Sequence, residues 1–449
     1  MTHHAAGLVI EAGPDSFLSQ KPWALGLCRQ LGLTDQLMNT NPLKEKAFVY
    51  SRGRLRPLPD GLVMFVPTKL GPTLRSGLLS VPGTLRMAMD LIIPRKQDMN
   101  GDESLASFFR RRLGHEAFER LIEPLMAGIY AGDAEQISLQ ATFPRFLEME
   151  RRSGSLIRGM LAARATAPRD AGTEAGWSAF ITLREGLYTI INALLSRLEN
   201  AGVQLRVAQR VTTIRRRSID GGEPAFSLLF DTSPLVSADA VVLTIPAYVT
   251  ADLIRGACPV AAGLLGAIHY ASTATVSLAY HKTDVESRVR GFGFVVPRAE
   301  GRPLLAATWT SLKWPYRAPP SQTLIRGYVG GVGREDIVAA DDETITQCVR
   351  RELADIAGIT AAPFYVEVNR WPHGMPQYAL GHCERMAKIE EALRPLRGLY
   401  VAGAAYRGIG IPDCIRDGAE TADRVLHDLM ENAESVMPPG LAQTDRQKL

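Results

Sequence analysis

The chain has 449 residues, 46% hydrophobic and 22% charged, enough to bury several packing units of ordinary globular size. Its 51 Lys and Arg against 47 Asp and Glu leave a net charge of +4, too mild for a dedicated nucleic-acid binder. Five single cysteines without a C-x-x-C pair argue for reduced thiols and against a disulfide framework or a zinc site, and no eighteen-residue apolar run suggests a spanning helix. The expectation at this level is a cytoplasmic enzyme without a signal peptide or metal.

In chain order, Leu8-Val9-Ile10 reads as a short strand that runs at once into a turn, Glu11 to Ser16. Leu25, Cys28 and Leu31 predict a short helix over 22–33. Residues 41–100, rich in Pro and Gly, predict short strands and loops. Helical spacing follows from Glu103 to Met126, with further helix to about Ala163 and then a loop to Gly176. Leu187, Ile190, Ile191, Leu194, Leu195 and Leu198 define an amphipathic helix that stops at Asn200-Ala201-Gly202.

Val203, Leu205 and Val207 then alternate as a strand would. Asp220-Gly221-Gly222 marks a hairpin-like turn before a strand over 226–230, and 238–245 reads as a buried strand. Several strands are expected over 268–332, a helix over 344–356, a strand over 399–403 and a helix over 417–430. The polar residues from 432 onward read as a disordered tail. The fold class is α/β with α+β parts.

The most informative local pattern is the hydrophobic strand Leu399 to Val401, the glycine-rich stretch Gly403 to Gly410 and the helix behind it. Such a loop exposes backbone N–H groups, and a helix N-terminus offers partial positive charge. The same spacing also suits a tight strand-to-helix connection. Gly330-Gly331-Val332-Gly333 favours a turn, and Arg110-Arg111-Arg112 a solvated or salt-bridged helix face. No G-x-G-x-x-G, Walker or G-x-S-x-G motif occurs.

With these residues in view, the chain resembles the protoporphyrinogen and coproporphyrinogen oxidases, flavoenzymes of haem biosynthesis. The resemblance is carried by Glu11 to Leu18, by Glu103 to Gly114 with Glu123 to Pro144, by Pro376-Gln377-Tyr378 with Gly381-His382, and by Tyr406 to Ile415. It implies an amine-oxidase-like architecture with an FAD domain over 1–20, 180–255 and 385–431, and a substrate domain over 41–68 and 256–384. A helical lobe over 69–179 and the tail 432–449 complete it. It also implies oxidation of a porphyrinogen to the porphyrin, six electrons in three steps, with molecular oxygen reduced to peroxide. Hydride transfer to a flavin needs positioning more than an acid/base constellation, and none stands out here.

By matching position, Gly13, Pro14, Asp15 and Ser16 would line the flavin, and Val211 would hold its adenine side through the backbone. Trp371 would lie by the ring system, while Gly403, Ile409, Gly410 and Ile411 would present backbone to it. Lys21 would pair with a propionate, Phe292 would pack on the macrocycle, and backbone at Gly128 would face the reacting carbon. The resemblance leaves open a peripheral contact with the inner face of the cell membrane and a hand-off to a chelatase. Whether the substrate is coproporphyrinogen III or protoporphyrinogen IX also stays open.

Two departures stand out. Ala404 replaces a frequent Asn, and the glycine-rich strand–helix unit that binds the FAD pyrophosphate is absent before Leu8. The expectation from the second is weak FAD binding, open strand edges and poor solubility. The competing readings are a related flavin oxidase of amines or polyenes, and an inactive fragment unable to hold FAD.

Overall fold

The computed structural model describes residues 1–43, 47–63, 66–97, 101–166, 176–216 and 226–436. Contacts divide the chain into two compact units, Met1–Leu195 with Tyr270–Leu380, and Ser196–His269 with Gly381–Leu449. Residues 1–20 and 180–195, grouped with 196–255 in the sequence reading, belong by their contacts to the first unit.

The first unit is organised by a seven-stranded sheet in the order Tyr365–Pro376, Tyr270–His281, Gln322–Gly330, Leu304–Trp309, Gly293–Val295, Phe48–Ser51, Arg54–Pro57. Every pairing is antiparallel except that of Gly293–Val295 with Phe48–Ser51. Tyr270–His281 is buried along almost its whole length, so its sequence lacks the alternation of a one-sided strand. The helix Asp342–Ala357 covers one face, placing Ile345, Val349, Leu353 and Ile356 against Val276, Leu304, Ile325 and Val329. Each such buried aliphatic side chain contributes about 1.5–3 kcal/mol. The Asp341 carboxylate caps this helix by accepting the Thr344 N–H at 2.7 Å, and Gly358 ends it with φ +69°.

The strand expected at Leu8 is the second arm of a hairpin, Thr2–Ala5 against Leu8–Glu11. Ala6 and Gly7 both take positive φ, the geometry of a two-residue hairpin turn. The stretch 41–100 departs from its expectation, because it holds the helices Leu70–Ser76 and Val81–Ala88 as well as strands. Pro82 reads as a breaker, yet in the first helical turn proline sacrifices no hydrogen bond, and Ser80 caps the helix by accepting the Gly83 N–H. The helix expected over 103–126 is broken at Gly114 (φ +90°) into Leu105–Leu113 and a segment that passes through a π-helical turn, Phe118–Ile122, into Glu123–Tyr130.

Arg110-Arg111-Arg112 is salt-bridged, as one of its two readings has it, but Arg112 is not solvated. It is fully buried, with Nε 2.6 Å from Asp90 Oδ1 and its other donors on the carbonyls of Asp90, Ile93, Pro94 and Gly154. Asp90 in turn accepts from the Ser155 hydroxyl at 2.6 Å and the Ile157 N–H at 2.9 Å. Arg111 bridges Glu103 and Glu150.

In the second unit Val241–Leu243 pairs in parallel with Leu399–Val401, and Val211–Arg216, Phe226–Phe230 and Val236–Ala238 form an antiparallel sheet. Val203, Leu205 and Val207 are not a strand: they are irregular and exposed. Alternation alone cannot make a strand where no neighbouring backbone pairs with it. The strand expected over 238–245 shrinks to three residues, with Val242 turned outward. The last helix runs from Ile411 to Val436, beginning before Asp417 and covering the first residues read as tail. The turn expected at Asp220-Gly221-Gly222 and residues 437–449 lie outside the described residues.

Candidate functional site

Two loops carry the residues that the sequence singles out, one in each unit. In the first unit the chain leaves the buried strand Leu8–Glu11 and turns through Ala12 to Ser16. Gly13 is placed where a Cβ would stand 3.4 Å from the indole of Trp371. Trp371 donates its Nε1–H to the Ala12 carbonyl at 2.7 Å. Arg326, from the middle of the sheet, donates to the carbonyls of Ala12 (3.1 Å) and Gly13 (2.7 Å). The structure therefore brings Gly13 and Trp371 into contact.

Asp15 accepts from Ser16 at 2.6 Å, from Lys313 Nζ at 3.3 and 3.4 Å, and from Trp314 Nε1 at 3.4 Å. Burial alone would raise its pKa, but Lys313, the Ser16 hydroxyl and Arg326 outweigh that and hold the carboxyl well below the usual range. Behind the loop, buried Arg317 donates to Glu11 at 3.2 Å and to Thr182 Oγ1 at 2.8 Å. Burial pulls the Arg317 pKa down, with Glu11 and Asp15 opposing it. Glu11 also accepts the Leu187 N–H and the Thr2 hydroxyl.

In the second unit, Leu399–Val401 leads into Gly403 (φ +124°), whose N–H is accepted by Asp417 at 2.8 Å. Asp417 also pairs with Arg407, which reaches Glu390 as well. Gly408 (φ +139°) has no room for a side chain, since a Cβ would fall 2.5 Å from that of Asp413. A Cβ on Gly410 would meet the Asp413 carboxylate at 2.9 Å. Ile409, Gly410 and Ile411 enter the helix Ile411–Val436, whose first N–H groups have no acceptor within the helix. Val211 starts a strand that, among the described residues, pairs only with Phe226–Phe230.

The remaining candidates lie in other elements of the chain. Lys21 is the N-cap of the helix Pro22–Gln30 and donates its N–H to Leu18. Phe292 is half-buried and accepts the Trp309 N–H at 2.8 Å. Gly128 lies on the exposed side of Glu123–Tyr130 with open space around its Cβ position. Sequence reasoning missed Arg326, Lys313, Arg317, Asp413 and Asp417. A signal for Arg326 was present: an arginine inside the apolar run Leu324 to Val329 demands a buried partner.

The sequence profile described as flavin containing amine oxidoreductase matches residues 1–426, and the chain belongs to this family. Its nearer relatives within the family carry porphyrinogen oxidase names. A coproporphyrinogen III oxidase of Bacillus subtilis (strain 168) is 38% identical over 421 residues, spanning 94% of this chain and 87% of the relative. A chloroplastic protoporphyrinogen oxidase of Oryza sativa subsp. japonica is 30% identical over 440 residues, spanning 93% and 79%. The crystal structure of a candidate protoporphyrinogen oxidase from Exiguobacterium sp. 255-15 superposes with a TM-score of 0.82 at 32% identity, covering 96% of this chain and 90% of that one.

The chain is thus an oxidoreductase of amine-oxidase-like architecture, and its cofactor class is a flavin. Glycine at 13, 408 and 410 lets the loop backbone pass close to Trp371 and Asp413, and the N–H groups at the start of Ile411–Val436 suit the acceptor oxygens of such a group. No helix among the described residues is long and apolar enough to cross a membrane.

Proposed function

We propose that this protein is an FAD-dependent, oxygen-consuming oxidase of coproporphyrinogen III. The observation that carries the reading is the 38% identity to the Bacillus subtilis coproporphyrinogen III oxidase, against 30% to the rice protoporphyrinogen oxidase. The overall change is porphyrinogen + 3 O2 → porphyrin + 3 H2O2, six electrons and six protons leaving the macrocycle in three equal steps. When bound, the flavin supplies the hydride acceptor and passes the electrons to oxygen.

The chain's own work is positional. Gly13, Pro14, Asp15, Ser16 and Trp371 would line the FAD. Gly403, Ile409, Gly410 and Ile411 would contribute backbone, with the positive end of the helix Ile411–Val436 behind them. Val211 would offer its strand backbone to the adenine. Lys21 would fix a propionate, Phe292 would pack on the macrocycle, and backbone at Gly128 would face the carbon that loses hydride. On this reading the FAD segments are 1–20, 180–255 and 385–431, and the substrate segments 41–68 and 256–384.

A peripheral membrane contact belongs to the same proposal. Leu70 and Leu74 on one helix, and Val81, Leu85, Met89 and Ile92 along the next turns, expose apolar side chains at helical spacing. Lys69 and Arg75 lie beside them in sequence, as suits an anionic surface.

The test is aerobic incubation of the full chain and FAD with each porphyrinogen, reading porphyrin fluorescence and peroxide. Three peroxides per porphyrin, with coproporphyrinogen III turned over faster, is the expected result. Faster turnover of protoporphyrinogen IX would reassign the substrate. Oxidation of an amine in place of either porphyrinogen would move the protein to the amine oxidases, and no turnover or flavin uptake would leave an inactive polypeptide.

A further inference from the structure

The Ala12–Gly13 peptide is held with unusual redundancy. Its carbonyl lies within reach of three donors: Trp371 Nε1 at 2.7 Å, Arg326 Nη2 at 3.1 Å and Thr275 Oγ1 at 3.4 Å. A carbonyl oxygen has two lone pairs, so this is more than satisfaction requires. The donors come from three neighbouring strands of the sheet. Arg326 lies opposite Ser277, and Trp371 lies opposite Thr273, so both share the face carrying Thr273, Thr275 and Ser277. Arg326 Nη2 also reaches the Gly13 carbonyl at 2.7 Å and the Thr275 hydroxyl at 3.3 Å. Its charge is felt by Asp15 two residues further along the loop.

Arg326 is almost fully buried, and among the described residues its Nε has no hydrogen-bond acceptor. A guanidinium buried in a sheet core with no carboxylate in contact among the described residues is a poor way to gain stability. The geometry gives it a different use. In a trans peptide the N–H points opposite to the C=O. Fixing the Ala12 carbonyl toward the sheet therefore turns the Gly13 N–H away from it. Pro14 has no N–H, so the second clamped carbonyl costs the loop no donor.

We propose that Arg326 is a positioning residue: with Thr275 and Trp371 it locks the Ala12–Gly13 peptide and presents the Gly13 N–H as a donor to an electron-rich ring atom of the flavin. This rests on the reading that the flavin lies against Gly13 to Ser16. A hydrogen bond to a ring atom that gains electron density on reduction stabilises the reduced form more than the oxidised one. Arg326 thus contributes both to affinity and to the readiness with which the flavin is reduced.

The test uses the whole chain and two readouts, the FAD dissociation constant from quenching of flavin fluorescence and the midpoint potential of the bound flavin. Arg326→Met is expected to weaken FAD binding at least tenfold and to make the potential more negative. Arg326→Lys, which keeps one charged donor for the carbonyls, should recover part of both. Val349→Ala, a core truncation on the helix that covers the sheet, should lower thermal stability and leave both readouts unchanged. Equal affinity and potential in Arg326→Met and Val349→Ala would overturn the role. If Arg326→Met does not fold, Thr275→Val replaces it, and a variant with unchanged affinity and potential would overturn the clamp. Failure of the wild-type chain to take up FAD would overturn the flavin reading itself, and this role with it.

Discussion

Removing Arg112 should be among the most damaging single changes in this protein. Its guanidinium is fully buried and has every donor group occupied: Asp90 takes two bonds through its carboxylate and carbonyl, and Ile93, Pro94 and Gly154 take the rest. Arg112→Met keeps most of the volume but leaves the Asp90 carboxylate buried with only Ser155 and Ile157 as donors. Breaking one side of a buried ion pair costs about 3–5 kcal/mol, and each orphaned carbonyl adds about 1–3 kcal/mol where the backbone cannot relax. The expected loss is at least ~4 kcal/mol in the unit that contains it. Urea unfolding followed by tryptophan fluorescence measures it directly. The double variant Asp90→Leu/Arg112→Met should recover part of the loss, since no unpaired charge remains. A single variant within ~1 kcal/mol of wild type would refute the reasoning, because it would mean that water or rearrangement satisfies Asp90 at no cost.

Other perturbations separate the remaining effects. Asp15→Asn should destabilise the protein at neutral pH by roughly 1–3 kcal/mol, the cost of leaving Lys313 half-buried and unpaired. Because the folded carboxyl titrates below its ordinary value, its contribution is complete above about pH 4 and fades as pH falls further. Wild type and variant should therefore converge in acid, as read from denaturation curves across pH. Gly408→Ala forces a Cβ to 2.5 Å from Asp413 at φ +139°, so a loss of about 1–3 kcal/mol together with weaker flavin uptake is expected by calorimetry and absorbance. Leu85→Glu with Ile92→Glu should abolish sedimentation with anionic vesicles and leave solution turnover intact, whereas undiminished sedimentation would remove the membrane proposal.

The sequence was most legible where a strong period met a long element. The helix Asp342–Ala357 and the strands Tyr270–His281 and Gln322–Gly330 appear close to where spacing and β-branched content put them. Composition misled where proline opened helices, at Val81–Ala88, and where alternation had no partner, at Val203 to Val207. Of the candidate site, the Gly13 turn and the glycine-rich approach to Ile411 were visible as local patterns. Their supports were not. Arg326, Lys313 and Arg317 lie some 300 residues from the loop they hold, as the 314-residue separation of Arg326 and Ala12 illustrates. Side-chain packing of the sheet and its adjoining turns against the loop brings them to it, for Leu8–Glu11 pairs with Thr2–Ala5 alone among the described residues.

The single parallel pairing in the sheet bears on how the chain is made. Phe294 lies beside Phe48, partners 294 − 48 = 246 positions apart. At ~5–20 residues per second, the ribosome needs roughly 12–50 s to deliver the second after the first. Throughout that interval Phe48–Ser51 has only its hairpin neighbour Arg54–Pro57, and its other edge is open. The segment Ser196–His269, which belongs to the other unit, emerges meanwhile and must itself wait for Gly381 and beyond. Neither unit can close in the order of synthesis. Nascent protein is thus exposed to mispairing for a time set by translation, and yield in a foreign host should respond to slower growth and to chaperone supply.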